Sequence, residues 1–321
     1  MPLLTRIKRY ILVSPPVSFL VRKSKKIFLP GFQGIPLFDV VRFFILQVKK
    51  TGFTERASAI SFNFTMTIPA VIIFLFTLLP YLPISKDFTI QMFLFIKDIV
   101  PGEKNYRSLT KFLSDILHKP RNELLSTGFL LAMFFSSNAV MGIMRSFDRQ
   151  YIGFVKRKGL SQRWAALRLT FILFILFFLC ILLLIMQVRV LKWMGVKHAF
   201  VINVINDARW ALIVLLFFFS VSFIYKYAPA VHKKWSIISP GSILATFLMI
   251  VFTAGFSYYV SNFSRYNELY GSIGTVLILM LLIYFNSLVL LIGFELNVSI
   301  NSLKHEVDER KKNLAGGPHA V

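Results

Sequence analysis

Long apolar runs separated by short charged segments dominate the hydropathy pattern of the chain. A helix needs about 20 apolar residues to cross a hydrocarbon core of roughly 30 Å, and it satisfies its backbone hydrogen bonds within one segment. The pattern predicts six such helices, over about residues 57–82, 124–144, 169–188, 210–225, 237–263 and 273–300. The predicted fold class is therefore all-α: a polytopic membrane helical bundle of six transmembrane helices, together with short interfacial helices.

Two stretches outside these spans also have apolar character. In residues 37–50 the apolar positions recur at helical spacing: Phe38, Val41, Ile45 and Val48. This spacing predicts an interfacial helix that leads into the first span. Residues 86–120 contain two apolar-rich pieces separated by Pro101-Gly102, which predict short helices at the external surface. An amphipathic connector packed on the bundle is the alternative for both stretches.

The chain divides into three parts by composition. Residues 1–36 form a basic N-terminal segment, in which Pro15-Pro16 interrupts any apolar run typical of a cleavable signal peptide. Residues 37–300 form the six-helix transmembrane domain. Residues 301–321 are charged, end with Gly316-Gly317-Pro318, and are predicted to be a disordered tail.

Charge predicts the orientation of the bundle. The net charge is +23, and 25 of the 37 Lys and Arg residues fall on the side of the membrane that holds the termini. The positive-inside rule therefore places both termini in the cytoplasm. Nucleic acid also binds basic chains, but these bases gather at the ends of apolar runs. We therefore expect anionic lipid headgroups at the cytoplasmic face as partners, and no nucleic acid. A homo-oligomer or an envelope protein partner stays open.

Catalytic, metal-binding and cofactor-binding patterns are weak. The five histidines lie at loops, span ends or the tail, and none is paired at the i, i+4 spacing of a helical metal site. The single cysteine, Cys180, lies in an apolar run and can form neither a disulfide framework nor a cysteine cluster. We expect no catalytic residue, no metal and no cofactor.

Glu295 is the most informative polar residue because it is the only charge in the sixth predicted span. An ion or proton relay, or an anchor for a basic headgroup, is one interpretation. A structural ion pair with an arginine near the same membrane face, such as Arg145 or Arg168, is the other. Asn297 follows closely, and Gly293 favours the close approach of another helix.

Other candidate residues lie inside or beside the spans. Three asparagines predict interhelical hydrogen bonds, with a shared polar cavity as the alternative: Asn63, Asn138 and Asn286. Pro69 removes a backbone hydrogen bond from the first span and predicts a kink. Arg145 and Asp148, at i, i+3 spacing, predict a structural clasp at the end of the second span.

Three stretches resemble the YihY/BrkB family of bacterial inner-membrane proteins, once described as ribonuclease BN. The first runs from Arg56 through the Ala- and Ser-containing segment to Pro69, and the second from Gly142 to Tyr151. The third joins Pro240-Gly241, the Tyr270-Gly271-Ser272-Ile273-Gly274 segment and Gly293-Phe294-Glu295-Leu296-Asn297. The resemblance covers about residues 40–300. It implies a six-helix fold in the cytoplasmic membrane and carries the glycines and Tyr270 as structural motif residues.

Function follows only in outline. The polar span residues, the basic face and the amphipathic flanks favour a non-enzymatic envelope protein that transports or accommodates a lipid or other amphiphile. An interaction scaffold of the envelope is the alternative. A ribonuclease, as in the old family description, would need clustered carboxylates or histidines to hold its metal ions, and the sequence shows no such cluster.

Overall fold

The computed structural model describes residues 22–50, 52–81, 107, 110–111, 114–115, 122–148, 159–193, 199–231, 235–263 and 272–315. Seven long helices make up most of these residues: α1 (Leu37–Lys50), α2 (Phe53–Leu78), α3 (Asn122–Phe147), α4 (Gly159–Trp193), α5 (Ala199–Tyr227), α6 (Pro240–Phe263) and α7 (Ser272–Ala315). A 3₁₀ turn, Leu79–Tyr81, follows α2. The helices α2 to α7 each contain a stretch that is long and apolar enough to cross a membrane. The predicted all-α bundle with six membrane-spanning helices is confirmed.

The helix boundaries differ from the predicted spans at two informative places. Helix α2 begins at Phe53, so that Arg56 belongs to the first span rather than to the charged segment before it. Helix α7 continues to Ala315, so residues 301–315 are helical in the structure where the sequence predicts a disordered tail. This extension lacks Gly and Pro before Gly316. Contacts at i, i+4 spacing support it: Arg310 to Glu306 at 2.8 Å and His305 to Glu309 at 3.3 Å.

The buried core lies at one end of the bundle, which we call the core end. Its side chains come from the start of α2, the end of α3, the start of α4, the end of α5, the start of α6 and residues 289–298 of α7. Phe147 and Phe294 stack there with ring centroids 3.8 Å apart. Tyr225 is fully buried and donates a hydrogen bond to the Leu290 carbonyl at 2.6 Å. Large apolar side chains further along the helices are exposed, as a lipid environment requires.

Helices α6 and α7 cross closely at two glycines. A Cβ atom added to Gly241 would lie 2.1 Å from the Gly293 carbonyl oxygen, and one added to Gly293 would lie 2.5 Å from the Tyr225 hydroxyl. Only glycine fits at both positions, which is how small residues allow membrane helices to approach. The crossing fixes residues 295–297 of α7 against the start of α6.

Helix α1 and the residues before it pack on the extension of α7. Phe32, Ile35 and Val40 form a small buried cluster with Ile300. The predicted helix over 37–50 is therefore present. It is joined to the first span by a short connection and contacts the last span through this cluster. The predicted external helices over 86–120 lie largely outside the described residues, as do Tyr270 and Gly271 of the family-like segment.

Candidate functional site

A buried ion pair joins α2 to α7 at the core end. Nη1 of Arg56 donates a hydrogen bond to Oε1 of Glu295 at 2.6 Å, and the side chains are 7% and 0% exposed. Nε of Arg56 donates to the Ser146 carbonyl oxygen of α3 at 2.9 Å, and the Phe53 ring lies 5.5 Å from the guanidinium carbon. Of the two interpretations of Glu295, this geometry supplies an ion pair, but its partner is Arg56 rather than Arg145 or Arg168.

The register of α2 explains why an arginine reaches the interior. Arg56 shares a buried helix face with Ile60, Thr67, Ala70 and Phe74, which recur at the three- and four-residue spacing of one face. Nη2 of Arg56 has no hydrogen-bond partner among the described residues. Arg145 and Arg168 are both exposed.

Asn297 secures the start of α6, one helical turn from Gly293. Its Oδ1 accepts the Gly241 backbone N–H at 2.9 Å, and its Nδ2 donates to the Ser239 hydroxyl at 2.9 Å. Ser239 and Ser242 exchange side-chain and backbone hydrogen bonds at 3.1 and 3.2 Å, in the manner of a capping box. Because the first N–H groups of a helix lack intrahelical acceptors, the Asn297 side chain meets a need created by the fold. Its role in this geometry is structural.

The three asparagines of the predicted shared cavity face different neighbours. Asn63 donates to the Ala59 carbonyl at 2.7 Å and packs over Gly142. Oδ1 of Asn138 accepts a hydrogen bond from Arg163 at 2.5 Å. Asn286 donates to the Leu282 carbonyl at 2.9 Å and to Thr253 at 3.3 Å. The predicted interhelical hydrogen bonds are present for Asn138 and Asn286, whereas the Asn63 bond stays within α2 and its interhelical contact is packing on Gly142.

The remaining predicted residues have local positions. Arg145 is exposed and Asp148 half-buried; among the residues that the structure describes, the two form no ion pair within 4.0 Å, so the predicted clasp is absent. Pro69 is exposed inside α2, which continues as a helix to Leu78. Gly274 is buried in the first turn of α7.

An apolar slot opens between the membrane-spanning helices α2, α3 and α4. Its volume is about 320 Å³, and we call it the α2–α4 slot; its lining includes Phe64, Thr67, Val71, Ser136, Val140, Thr170, Phe174 and Phe177. The small side chains of Ser136 and Ala139 on α3 leave room between larger aromatic residues of the flanking helices. Such a volume lies at the lower end of the range of ligand pockets.

The slot presents little polarity to its interior. The Thr67 hydroxyl donates to backbone carbonyls at 2.9 and 3.0 Å, and the Thr170 hydroxyl donates to the Ala166 carbonyl at 2.8 Å. Phe74 and Phe174 meet beside it with ring centroids 6.3 Å apart. The slot is thus suited to a hydrocarbon chain. Among the described residues, no group of three His, Cys, Asp or Glu side chains could hold a metal ion.

Three residues that make the interhelical contacts described above are not predicted from the sequence: Arg56, Arg163 and Tyr225. Arg56 lies just before the first predicted span. Arg163 lies before the third predicted span, which in the structure begins at Gly159. Continuing the helical spacing of each span by one or two turns toward its N-terminus would have placed both arginines on helices.

Comparison with known proteins gives a consistent family assignment. The sequence model described as "Virulence factor BrkB" matches residues 44–316. The putative ribonuclease-like protein YfkH of Bacillus subtilis is 27% identical over 265 residues, which are 79% of this chain and 92% of that protein. A UPF0761 membrane protein of Tolumonas auensis is 33% identical over 95 residues, 29% of this chain and 32% of that protein. No solved structure matches.

Proposed function

The chain belongs to the BrkB virulence factor family of membrane proteins, and from this premise we propose that it accommodates the acyl chain of a membrane amphiphile. The observation that carries the proposal is the α2–α4 slot, an apolar cavity of about 320 Å³ between three spans. Lipid tails surround these spans, so an amphiphile can enter sideways without passing through water.

Two features of the slot favour an acyl chain over a polar solute. The hydroxyl groups of Thr67 and Thr170 already donate to backbone carbonyls, and no charged side chain lines the slot, so a polar ligand would find few partners to replace its hydrogen bonds to water. The aromatic walls offer dispersion contacts to methylene groups, and each buried methylene contributes about 0.8 kcal/mol. In a lipid bilayer this gain is smaller, since the surrounding environment is also apolar. The fit between the acyl chain and the slot therefore decides whether the slot is occupied.

Photochemical labelling tests the proposal. The purified protein is reconstituted with phosphatidylglycerol that carries a diazirine in one acyl chain, irradiated and mapped by mass spectrometry. We expect labels to concentrate on peptides of the slot. Ser136→Phe fills the slot and should reduce labelling there, whereas Ser257→Phe, the same change at an exposed position of α6, should not. Uniform labelling of all lipid-exposed helices, unchanged by Ser136→Phe, would contradict the proposal.

Movement of the amphiphile between leaflets is the stronger form of the proposal. Fluorescent phosphatidylglycerol scrambling in liposomes measures it directly. Scrambling that Ser136→Phe abolishes and Ser257→Phe preserves would support transport through the slot. No scrambling by folded wild-type protein would limit the function to accommodation.

We also infer that the protein lies in the bacterial inner membrane with both termini in the cytoplasm. Support comes from the 25 Lys and Arg residues on the side that holds the termini, against 12 on the other. Single cysteines introduced in residues 301–311 of a Cys180→Ala background test the orientation. A membrane-impermeant thiol reagent should label these cysteines only after the cells are opened. Labelling in intact cells would place the C-terminal segment outside the cytoplasm and contradict the inferred orientation.

The ribonuclease-like name belongs to the Bacillus relative, and we do not extend that activity to this chain. The slot lining supplies no acid, base or metal ligand. Incubation of purified protein with RNA and divalent metal ions should leave the RNA intact. Cleavage that survives further purification of the protein would require another site.

A further inference from the structure

Helix α1 has one apolar face that is covered by protein and an outer face on which exposed apolar side chains flank the base Arg42. Val40 is fully buried against the α7 cluster. On the outer side, Val41, Ile45 and Leu46 are 43%, 47% and 50% exposed. Exposed apolar side chains at helical spacing, next to bases such as Arg42, are typical of a helix that lies in a membrane interface.

Chain connectivity places this outer face at the bilayer. Helix α1 ends at Lys50, and the membrane-spanning helix α2 begins at Phe53. With two residues between them, the end of α1 lies close to the start of α2, because the three Cα–Cα steps from Lys50 to Phe53 span at most about 11 Å. The contact of Val40 with Ile300 holds the rest of α1 close to the end of the α7 span.

A polar cleft opens beside this face, between α1 and the extension of α7. Its volume is about 710 Å³. Four basic residues line it, against three acidic ones: Arg42, Lys304, Arg310 and Lys311 against Asp39, Glu306 and Asp308. Arg310 is paired with Glu306 at 2.8 Å, whereas in the described part of the chain Arg42, Lys304 and Lys311 have no carboxylate within 4.0 Å. Leu46 belongs both to the cleft and to the exposed apolar face, so the cleft opens toward lipid.

We propose that α1 and the α7 extension form a binding site for the headgroup of an anionic phospholipid. The apolar residues of α1 insert beside the acyl chains, and Arg42, Lys304 and Lys311 bind the phosphate. The site is separate from the α2–α4 slot and shares no lining residue with it. Each basic side chain near an anionic membrane surface strengthens binding to that surface by about fivefold, and this gain falls as salt screens the charges.

A fluorescent reporter on α1 tests the site in the full-length protein. Cys180 is the only cysteine, so Ile45→Cys in a Cys180→Ala background carries a single environment-sensitive dye. The protein is reconstituted in phosphatidylcholine vesicles that contain equal amounts of spin-labelled phosphatidylglycerol or spin-labelled phosphatidylcholine. We expect stronger quenching by the anionic lipid, by several-fold at low salt, and weak quenching by aqueous iodide.

Two triple variants separate the cleft from the general charge of the protein. Replacing Arg42, Lys304 and Lys311 by Gln should bring the two lipids to equal quenching. Replacing Lys23, Arg145 and Arg168 by Gln removes the same charge from exposed positions outside the cleft and should preserve the preference. Far-ultraviolet circular dichroism and gel-filtration profiles equal to wild type identify the folded samples.

Several results would overturn the proposal. One is equal quenching by both lipids in wild type; another is equal loss of preference in the two triple variants. Strong iodide quenching at position 45 would place α1 in water. Loss of the lipid preference on addition of inorganic phosphate, at constant ionic strength, would assign the cleft to a soluble anion instead of a headgroup.

Discussion

Replacing Glu295 by Leu removes one charge from a pair whose partner is almost completely shielded from solvent. At the 2.6 Å separation of Arg56 and Glu295, with an effective dielectric constant of about 20, the Coulomb attraction is about 6 kcal/mol. Desolvation of both charges offsets much of this attraction. Removal of one partner leaves the other charge buried, at a cost of about 3–5 kcal/mol.

A double-mutant cycle separates the pair from its surroundings. Arg56→Met and Glu295→Leu should each lower the free energy of unfolding by about 3–5 kcal/mol, whereas the double variant should cost far less than the sum, because an apolar pair in a dry site is often nearly neutral. Unfolding with sodium dodecyl sulfate in mixed micelles measures each value. Tryptophan fluorescence is a suitable signal, since Trp235 contacts Phe294, beside Glu295, at 5.6 Å between ring centroids.

The exposed pair of Glu306 and Arg310 on the α7 extension is the matched control. These side chains are 50% and 75% exposed, and an exposed pair at i, i+4 spacing contributes about 0.3–0.5 kcal/mol. The corresponding Leu and Met variants should therefore change stability little. Single costs below about 1 kcal/mol at Arg56 and Glu295, or a double variant equal to their sum, would refute the reasoning.

Three further predictions concern the contacts between α6 and α7. Gly293→Val should lower the free energy of unfolding by about 3 kcal/mol or more in the same assay, since its Cβ would lie 2.5 Å from the Gly241 carbonyl oxygen. Gly255→Val, in open space, should lower it by about 0.5 kcal/mol or less, and equal losses would contradict the close crossing. Asn297→Ala should cost about 1–3 kcal/mol, because the buried N–H of Gly241 loses its acceptor, and an unchanged midpoint would exclude that bond. Asn286→Ala should cost only about 0.6 kcal/mol, the average for a membrane hydrogen bond, and a cost above about 2 kcal/mol would point to a role beyond helix contact.

The spans could be predicted from the sequence because hydrocarbon imposes a simple requirement on every helix. An apolar run near 20 residues is sufficient to locate a span, and all six predicted spans are present as helices. The ends of the helices were less predictable. Arg56 and Arg163 lie within helices but outside the apolar runs, so hydropathy assigned them to loops. The helical extension after residue 300 contains charged residues, and only its first turn packs, through Leu303, against the cluster of Phe32, Ile35 and Val40.

The pairing of Arg56 with Glu295 could not be read from the pattern because the residues are 239 positions apart. Hydropathy indicates that Glu295 needs a partner, but it does not indicate which basic residue supplies the charge. The α2–α4 slot was also beyond prediction, since it results from the combination of small residues on α3 and aromatic residues on neighbouring helices. By contrast, the role of Gly293 in close packing followed from its size alone.

Electron cryomicroscopy of the protein in phosphatidylglycerol-containing nanodiscs is the most direct test of the central claim that the α2–α4 slot holds an acyl chain. We predict elongated density between α2 and α4 that contacts Phe64 and Phe177 in wild type and is absent from Ser136→Phe. A slot closed by approach of the helices, or density no stronger there than at the other lipid-facing grooves, would contradict the account.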